Sequence, residues 1–90
     1  MVNSVVIKPN DTVATATEEL QAGDTGNYLL EGKLYELPIL ETIPQYHKFA
    51  IKEMHTGDHV YKYGEKIGVA SCDIKRGAYV HVHNLESERA

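Results

Sequence analysis

Ile74-Lys75-Arg76-Gly77-Ala78-Tyr79-Val80-His81-Val82-His83-Asn84-Leu85 carries two patterns. From Gly77 onward it alternates, and side chains of a strand point to opposite faces with period two. A strand over 77–85 sends Val80 and Val82 into a core and Tyr79, His81 and His83 to the other face. The first half, Ile74-x-x-Gly77-x-x-Val80, repeats Met54-x-x-Gly57-x-x-Val60 from twenty residues earlier. Ile43-x-x-Tyr46-x-x-Phe49 is a looser copy, and Leu20-x-x-Gly23 a fragment. An apolar anchor, a tight turn needing glycine and entry into a strand read as a compact, irregular, mainly β domain.

The remaining segments agree. Val5-Val6-Ile7 is a β-branched run stopped by Pro9. Strands follow at Tyr28-Leu29-Leu30 and Leu34-Tyr35-Glu36-Leu37, with a turn at Gly32-Lys33 between them, and Pro38 confines the second to a sheet edge or a strand end. Lys48-Phe49-Ala50-Ile51-Lys52 alternates with Phe49 and Ile51 inward. Val60-Tyr61-Lys62-Tyr63 leads through a turn at Gly64-Glu65 to Ile67-Gly68-Val69-Ala70-Ser71. One short N-terminal helix is predicted over 13–20: Asn10, Asp11 and Thr12 offer caps, Val13, Ala16 and Leu20 share a helical face, and Gly23 is a stop.

Ninety residues make one domain, 1–90, with a polar tail at about 86–90. A chain this short buries one small core and no large substrate cavity, so a partner chain is expected. The formal net charge of −4 and pI of about 5.7 argue against nucleic acid. No apolar run approaches the roughly 18 residues of a membrane span, and the N-terminus lacks the pattern of a signal peptide. A lone cysteine, Cys72, reads as a small buried strand residue in a reducing, cytoplasmic setting.

The residues fit for chemistry are few. His81 and His83, with Cα atoms roughly 6.5–7 Å apart in a strand, can converge on one divalent metal, or can be two outward histidines. Asn84 falls on the valine face by simple alternation. Turned outward at the strand's end, it could bond a substrate hydroxyl or a turn. His47 and Lys48, after Pro44, can meet a carboxylate substrate or line a solvated loop. Lys62 beside Gly64 can contact an anion or be an ordinary charged turn. His55 and His59 read as surface residues. There is no phosphate-binding glycine loop, nucleophile elbow or Cys-x-x-Cys pair.

Taken together, Asp11-Thr12-Val13-Ala14, Ile43-Pro44-x-x-His47-Lys48-Phe49-Ala50, Gly57-x-x-Val60-x-Lys62-Tyr63-Gly64-x-x-Ile67-Gly68 and Ile74-x-x-Gly77-x-x-Val80-His81-x-His83-Asn84 resemble the small N-terminal module of the altronate and galactarate dehydratase family, over roughly Asp11 to Leu85. That module is similar to the SAF domain, a β-clip fold. It also occurs as a free small chain beside a large one, as in sulfolactate sulfo-lyase. The resemblance implies a hydro-lyase subunit. Such a subunit is expected to act with a large catalytic subunit, removing water from a sugar acid to give a 2-keto-3-deoxy acid, and to be inactive alone. It also implies an iron or manganese ion, shared with the large chain. The chemistry of the side chains, and not the resemblance, then assigns that ion to His81 and His83, proton transfer or carboxylate binding to His47 and Lys48, and substrate contacts to Lys62 and Asn84. The alternatives are a sulfo-lyase subunit, losing sulfite instead of water, and a non-catalytic module that binds a carbohydrate or a partner protein.

Overall fold

The computed structural model describes residues 2–87. These residues hold nine strands and no helix: β1 (Ser4–Val5), β2 (Val13–Ala16), β3 (Thr25–Leu30), β4 (Lys33–Pro38), β5 (Lys48–Ala50), β6 (His59–Lys62), β7 (Glu65–Ala70), β8 (Tyr79–Val80) and β9 (Leu85–Ser87). A central antiparallel sheet runs β1-β2-β5-β8, β3 and β4 form a hairpin, and β6-β7-β9 form a second antiparallel sheet.

The central sheet separates two cores. Alternation along β2 and β5 sends Ala14, Ala16, Phe49 and Ile51 to one side, where Leu20, Tyr28, Ile39 and Ile43 close over them. It sends Val13 and Ala50 to the other side, against Met54, Val60, Ala70, Ile74 and Val80. Phe49 and Ile51 thus face inward together, as their spacing predicts. The helix expected over 13–20 is not formed. A helix would have gathered Val13, Ala16 and Leu20 on one face, whereas β2 delivers Val13 and Ala16 to opposite cores. The β-branched Thr15 and Thr17 favour that outcome. The expected helix caps serve tertiary contacts instead. The buried Asp11 carboxylate accepts the backbone N–H groups of Ile7, Lys8 and Gly64 at 3.1, 3.1 and 2.7 Å. The Thr12 hydroxyl accepts the N–H of Tyr61 at 3.0 Å.

The echo noted in the sequence is a four-fold structural repeat. The anchors Leu20, Ile43, Met54 and Ile74 are all buried, and they pair as two isolated antiparallel bridges, Leu20 with Ile43 and Met54 with Ile74. Each anchor is followed by the same β-turn, closed by Asp24 N–H to Gln21 O, His47 N–H to Pro44 O, Asp58 N–H to His55 O and Ala78 N–H to Lys75 O. The third turn residue has positive φ every time: Gly23 at 95°, Tyr46 at 69°, Gly57 at 90° and Gly77 at 94°. A type II turn requires that conformation. Each turn then exchanges two backbone hydrogen bonds with a residue four before the anchor of its mate. Tyr46 donates to Ala16 O while Ala16 donates to His47 O, and Gly77 donates to Ala50 O while Ala50 donates to Ala78 O. Gly23 and Asp24 do the same with Ile39, and Gly57 and Asp58 with Ala70. The looser copy at Ile43 and the fragment at Leu20 are therefore full members.

Other expectations shift by small amounts. The hairpin turns fall at Glu31-Gly32 and Tyr63-Gly64, one residue earlier than predicted, because both residues of each pair take positive φ, as a type I′ turn needs. Pro38 does end β4. Cys72 is exposed, not buried. The final strand stops at Val80, so Val82 is not in the core but 80% exposed. Leu85–Ser87 pairs with β7, so the polar stretch expected from 86 begins within a strand, and residues 88–90 lie outside the described residues.

The turns differ in the room they leave. A Cβ on Gly57 would meet nothing within 4 Å, while one on Gly77 would come within 2.2 Å of the Pro38 carbonyl oxygen. Gly57→Ala is expected to cost about 1 kcal/mol, from backbone strain alone. Gly77→Ala is expected to cost about 2–4 kcal/mol, from strain plus the collision. Urea unfolding of the two variants checks this, and equal losses would contradict it.

Candidate functional site

The end of the second turn and the edge of the central sheet bring a ring cluster together. β5 and β8 pair Phe49 with Tyr79 and Lys48 with Val80. Continuing that register by one residue sets His47 across from His81, and their rings lie 5.2 Å apart. Tyr79 is the hub. Its hydroxyl lies 2.6 Å from His47 Nδ1. Its ring stacks on His81 at 5.5 Å and 7°, and touches His83 at 5.7 Å. The expected sharing of one face by Tyr79, His81 and His83 thus holds, though His83 is presented by a turn and not by a strand.

That turn is built by Asn84. Its Oδ1 accepts the His81 N–H at 2.9 Å, its Nδ2 donates to Tyr79 O at 2.8 Å, and its own backbone N–H donates to His81 O. The side chain is buried, and its amide is committed to the backbone. Glu41 Oε2 accepts the Tyr79 N–H at 3.1 Å. Tyr79 is therefore fixed at its N–H, carbonyl and hydroxyl. Its position on the histidine face is legible in the sequence, but its pairing with His47 depends on the β5–β8 register, which nothing local encodes.

Lys48 leaves its strand on the opposite face from His47. It is half-buried at the rim of the second core. Burial holds its ammonium below the ordinary lysine range, and the nearby Lys62 charge adds to this. Lys62 Nζ sits 5.1 Å over the Tyr63 ring. The Tyr63 hydroxyl donates to Thr15 Oγ1 at 3.2 Å, and Thr15 is the cross-strand partner of Lys48. The six residues singled out in the sequence thus form two groups: His47, His81 and His83 around Tyr79, braced by Asn84, and Lys48 with Lys62.

Among the described residues no group of three or more His, Cys, Asp or Glu side chains is placed to hold a metal ion, and no helix is long and apolar enough to cross a membrane. An open cleft of about 430 Å³ lies elsewhere, lined by Lys52, Glu53, Asp58, His59 and Tyr61 among others, and neither group contributes to it. His55 and His59 are exposed, and His55 Nδ1 lies 3.7 Å from Asp73.

The two groups can do different things: the ring cluster can pass a proton at an exposed sheet edge, and the ammonium pair can attract an anion on the other face. With its proton on Nε2, His47 accepts from the Tyr79 hydroxyl at Nδ1. With Nδ1 protonated, it donates to the phenol oxygen. One short contact serves either direction. Two neighbouring ammonium groups, one disfavoured by burial, favour an anion between or beside them.

The family model described as the altronate/galactarate dehydratase SAF domain matches residues 2–88. The chain is 31% identical to altronate dehydratase of Bacillus subtilis, over 97% of this chain but 17% of that protein. It is 34% identical to altronate dehydratase of Escherichia coli, over 86% of this chain and 15% of that one. It is 31% identical to the (2R)-sulfolactate sulfo-lyase subunit alpha of Chromohalobacter salexigens, over 98% of this chain and 97% of that subunit. The chain thus spans about a sixth of the altronate dehydratases it matches, and nearly all of a sulfo-lyase subunit. By its sequence, this chain belongs to the family of altronate/galactarate dehydratase SAF domains.

Proposed function

We propose that this chain is the small subunit of a sugar-acid dehydratase. A large chain completes the active site and supplies most of it. The reaction takes a proton from the carbon beside a carboxylate and expels hydroxide from the next carbon. The resulting enol becomes a 2-keto-3-deoxy acid. The observation that carries the assignment is the Tyr79–His47 contact of 2.6 Å at an open sheet edge, in a chain of this family. The substrate's α proton passes to Nε2 of His47, which is free to accept it while Nδ1–H donates to the Tyr79 oxygen. Lys48 and Lys62, on the other face of the sheet, raise the local positive potential that draws an anionic substrate to this edge and do not hold the carboxylate whose α proton is taken. Asn84, with its amide bound to the turn, positions Tyr79 and His81 and does not touch substrate.

Iron or manganese enters only as a shared ion. The described residues form no complete ligand set, so His81 and His83 would contribute two imidazoles to a site finished by the large chain. The compartment we assign is the cytoplasm, in keeping with an exposed free cysteine. A second reading is sulfolactate sulfo-lyase, where sulfite replaces hydroxide as the leaving group. A relative 31% identical over 98% of this chain is named as the alpha subunit of that enzyme, which supports it.

The test is turnover of altronate, galactarate and sulfolactate by this chain, by its large chain and by both, with added iron or manganese. Dehydration by the mixture alone supports the proposal. Sulfite release alone transfers it to the second reading, and no turnover by any combination overturns both. In the active mixture, Tyr79→Phe is expected to lower kcat by about 10²-fold with KM little changed. An unchanged kcat removes the pair from the mechanism. His81→Ala/His83→Ala is expected to reduce the metal content of the purified assembly, and full retention of metal would contradict the shared site.

Lys48 gives a pH prediction. Its folded pKa lies below its ordinary 10.5. Between those two values the unfolded chain holds more protons, so stability rises with pH across that window. Below it the cost of burying the charge is constant. Lys48→Met keeps the aliphatic stem and removes the charge. The difference in unfolding free energy between Lys48→Met and the parent should shrink as pH climbs from 7 toward 10.5. Parallel curves would contradict the burial of this ammonium.

A further inference from the structure

The four repeated turns compare one backbone position in four settings. Glycine fills it at Gly23, Gly57 and Gly77, and Tyr46 fills it once, at φ 69°. A bulky side chain in that conformation is strained, and the strain is kept only where something else maintains it. The turn's backbone bonds hold the conformation, but they do not call for a tyrosine: Tyr46 is 70% exposed, and among the described residues no hydrogen bond or ring contact engages its side chain. Its backbone bonds, N–H to Ala16 O and the turn closed by His47, are those the glycines make in the sister turns. The exception falls at the turn that delivers His47, one peptide away, a Cα separation of about 3.8 Å.

We propose that Tyr46 is a specificity residue that contacts the substrate, its phenol bonding a hydroxyl of the polyhydroxylated acid while His47 works beside it. A phenol both donates and accepts, which suits a hydroxyl-rich carbon chain. This rests on the dehydratase reading above. A surface tyrosine where the sister turns have glycine, adjoining His47 in the chain and without a side-chain partner among the described residues, has its counterpart in what enters the site.

The test uses Tyr46→Gly and Tyr46→Phe in this chain mixed with saturating large chain. Tyr46→Gly should raise KM for the sugar acid about three- to tenfold with kcat near that of the parent, the loss of one hydrogen bond. Tyr46→Phe, which keeps the ring and the turn, should show most of the same rise. By itself, Tyr46→Gly should unfold at equal or higher temperature than the parent, since it relieves the strain. An unchanged KM in both variants overturns the proposal, and so does a clear loss of stability in Tyr46→Gly, which would make the ring structural. Weaker association with the large chain at unchanged KM also overturns it and makes Tyr46 a subunit contact. Turnover by the parent mixture tests the dehydratase reading separately. With no parent turnover on any hydroxy acid, both fall.

Discussion

The reciprocal backbone bonds between each turn and the strand end before its mate's anchor hold this molecule together. Each turn must place one residue at positive φ, and each must offer one N–H and one carbonyl to a residue from the partner segment. Strands two to six residues long cannot bury much by themselves. The paired turns convert them into two cores on either side of one sheet. The anchors of one pair, Leu20 and Ile43, lie in the first core, and those of the other, Met54 and Ile74, in the second. The site follows from this arrangement. One turn ends at His47, another leads into Tyr79, and the β5–β8 register sets them side by side.

The repeat was legible because a tight turn needs glycine and a core needs an apolar anchor at fixed spacing. Its second copy is less legible because Tyr46 stands where the pattern predicts glycine. The alternation of Phe49 and Ile51 and the break at Pro38 were legible for similar local reasons. The helix over 13–20 failed because Val13, Ala16 and Leu20 fit a helical stripe and a strand between two cores equally well. Tertiary burial decided between them. The length of the last strand failed at Asn84, a turn former whose amide reaches back to His81 and Tyr79. Of the site, the shared face of Tyr79, His81 and His83 could be read from period two. The Tyr79–His47 pairing spans |i−j| of 32 and depends on register. The separation of Lys48 from His47 follows from strand alternation once β5 is known.

The site is an edge and not a cavity. A ring cluster lies on one face of the central sheet and a pair of ammonium groups on the other, with no enclosing wall among the described residues. This suits a module that lends groups to a larger catalytic body. It also agrees with relatives in which the same span is either a sixth of a dehydratase or a whole sulfo-lyase subunit. Rigidity is concentrated at Tyr79, whose backbone and hydroxyl are all engaged, so its hydroxyl is presented to His47 without a large entropic cost of ordering.

The proposed chemistry depends most on the hydrogen bond between Tyr79 and His47, which nitrogen-15 NMR of the imidazole nitrogens reads directly. The expected result is a His47 Nδ1 shift displaced from that of an unbonded imidazole at neutral pH, with the displacement lost in Tyr79→Phe while the His55 and His59 signals stay in place. His47 signals that match those of a solvated imidazole, and do not respond to Tyr79→Phe, would contradict the assignment of this pair as the chemical centre of the chain.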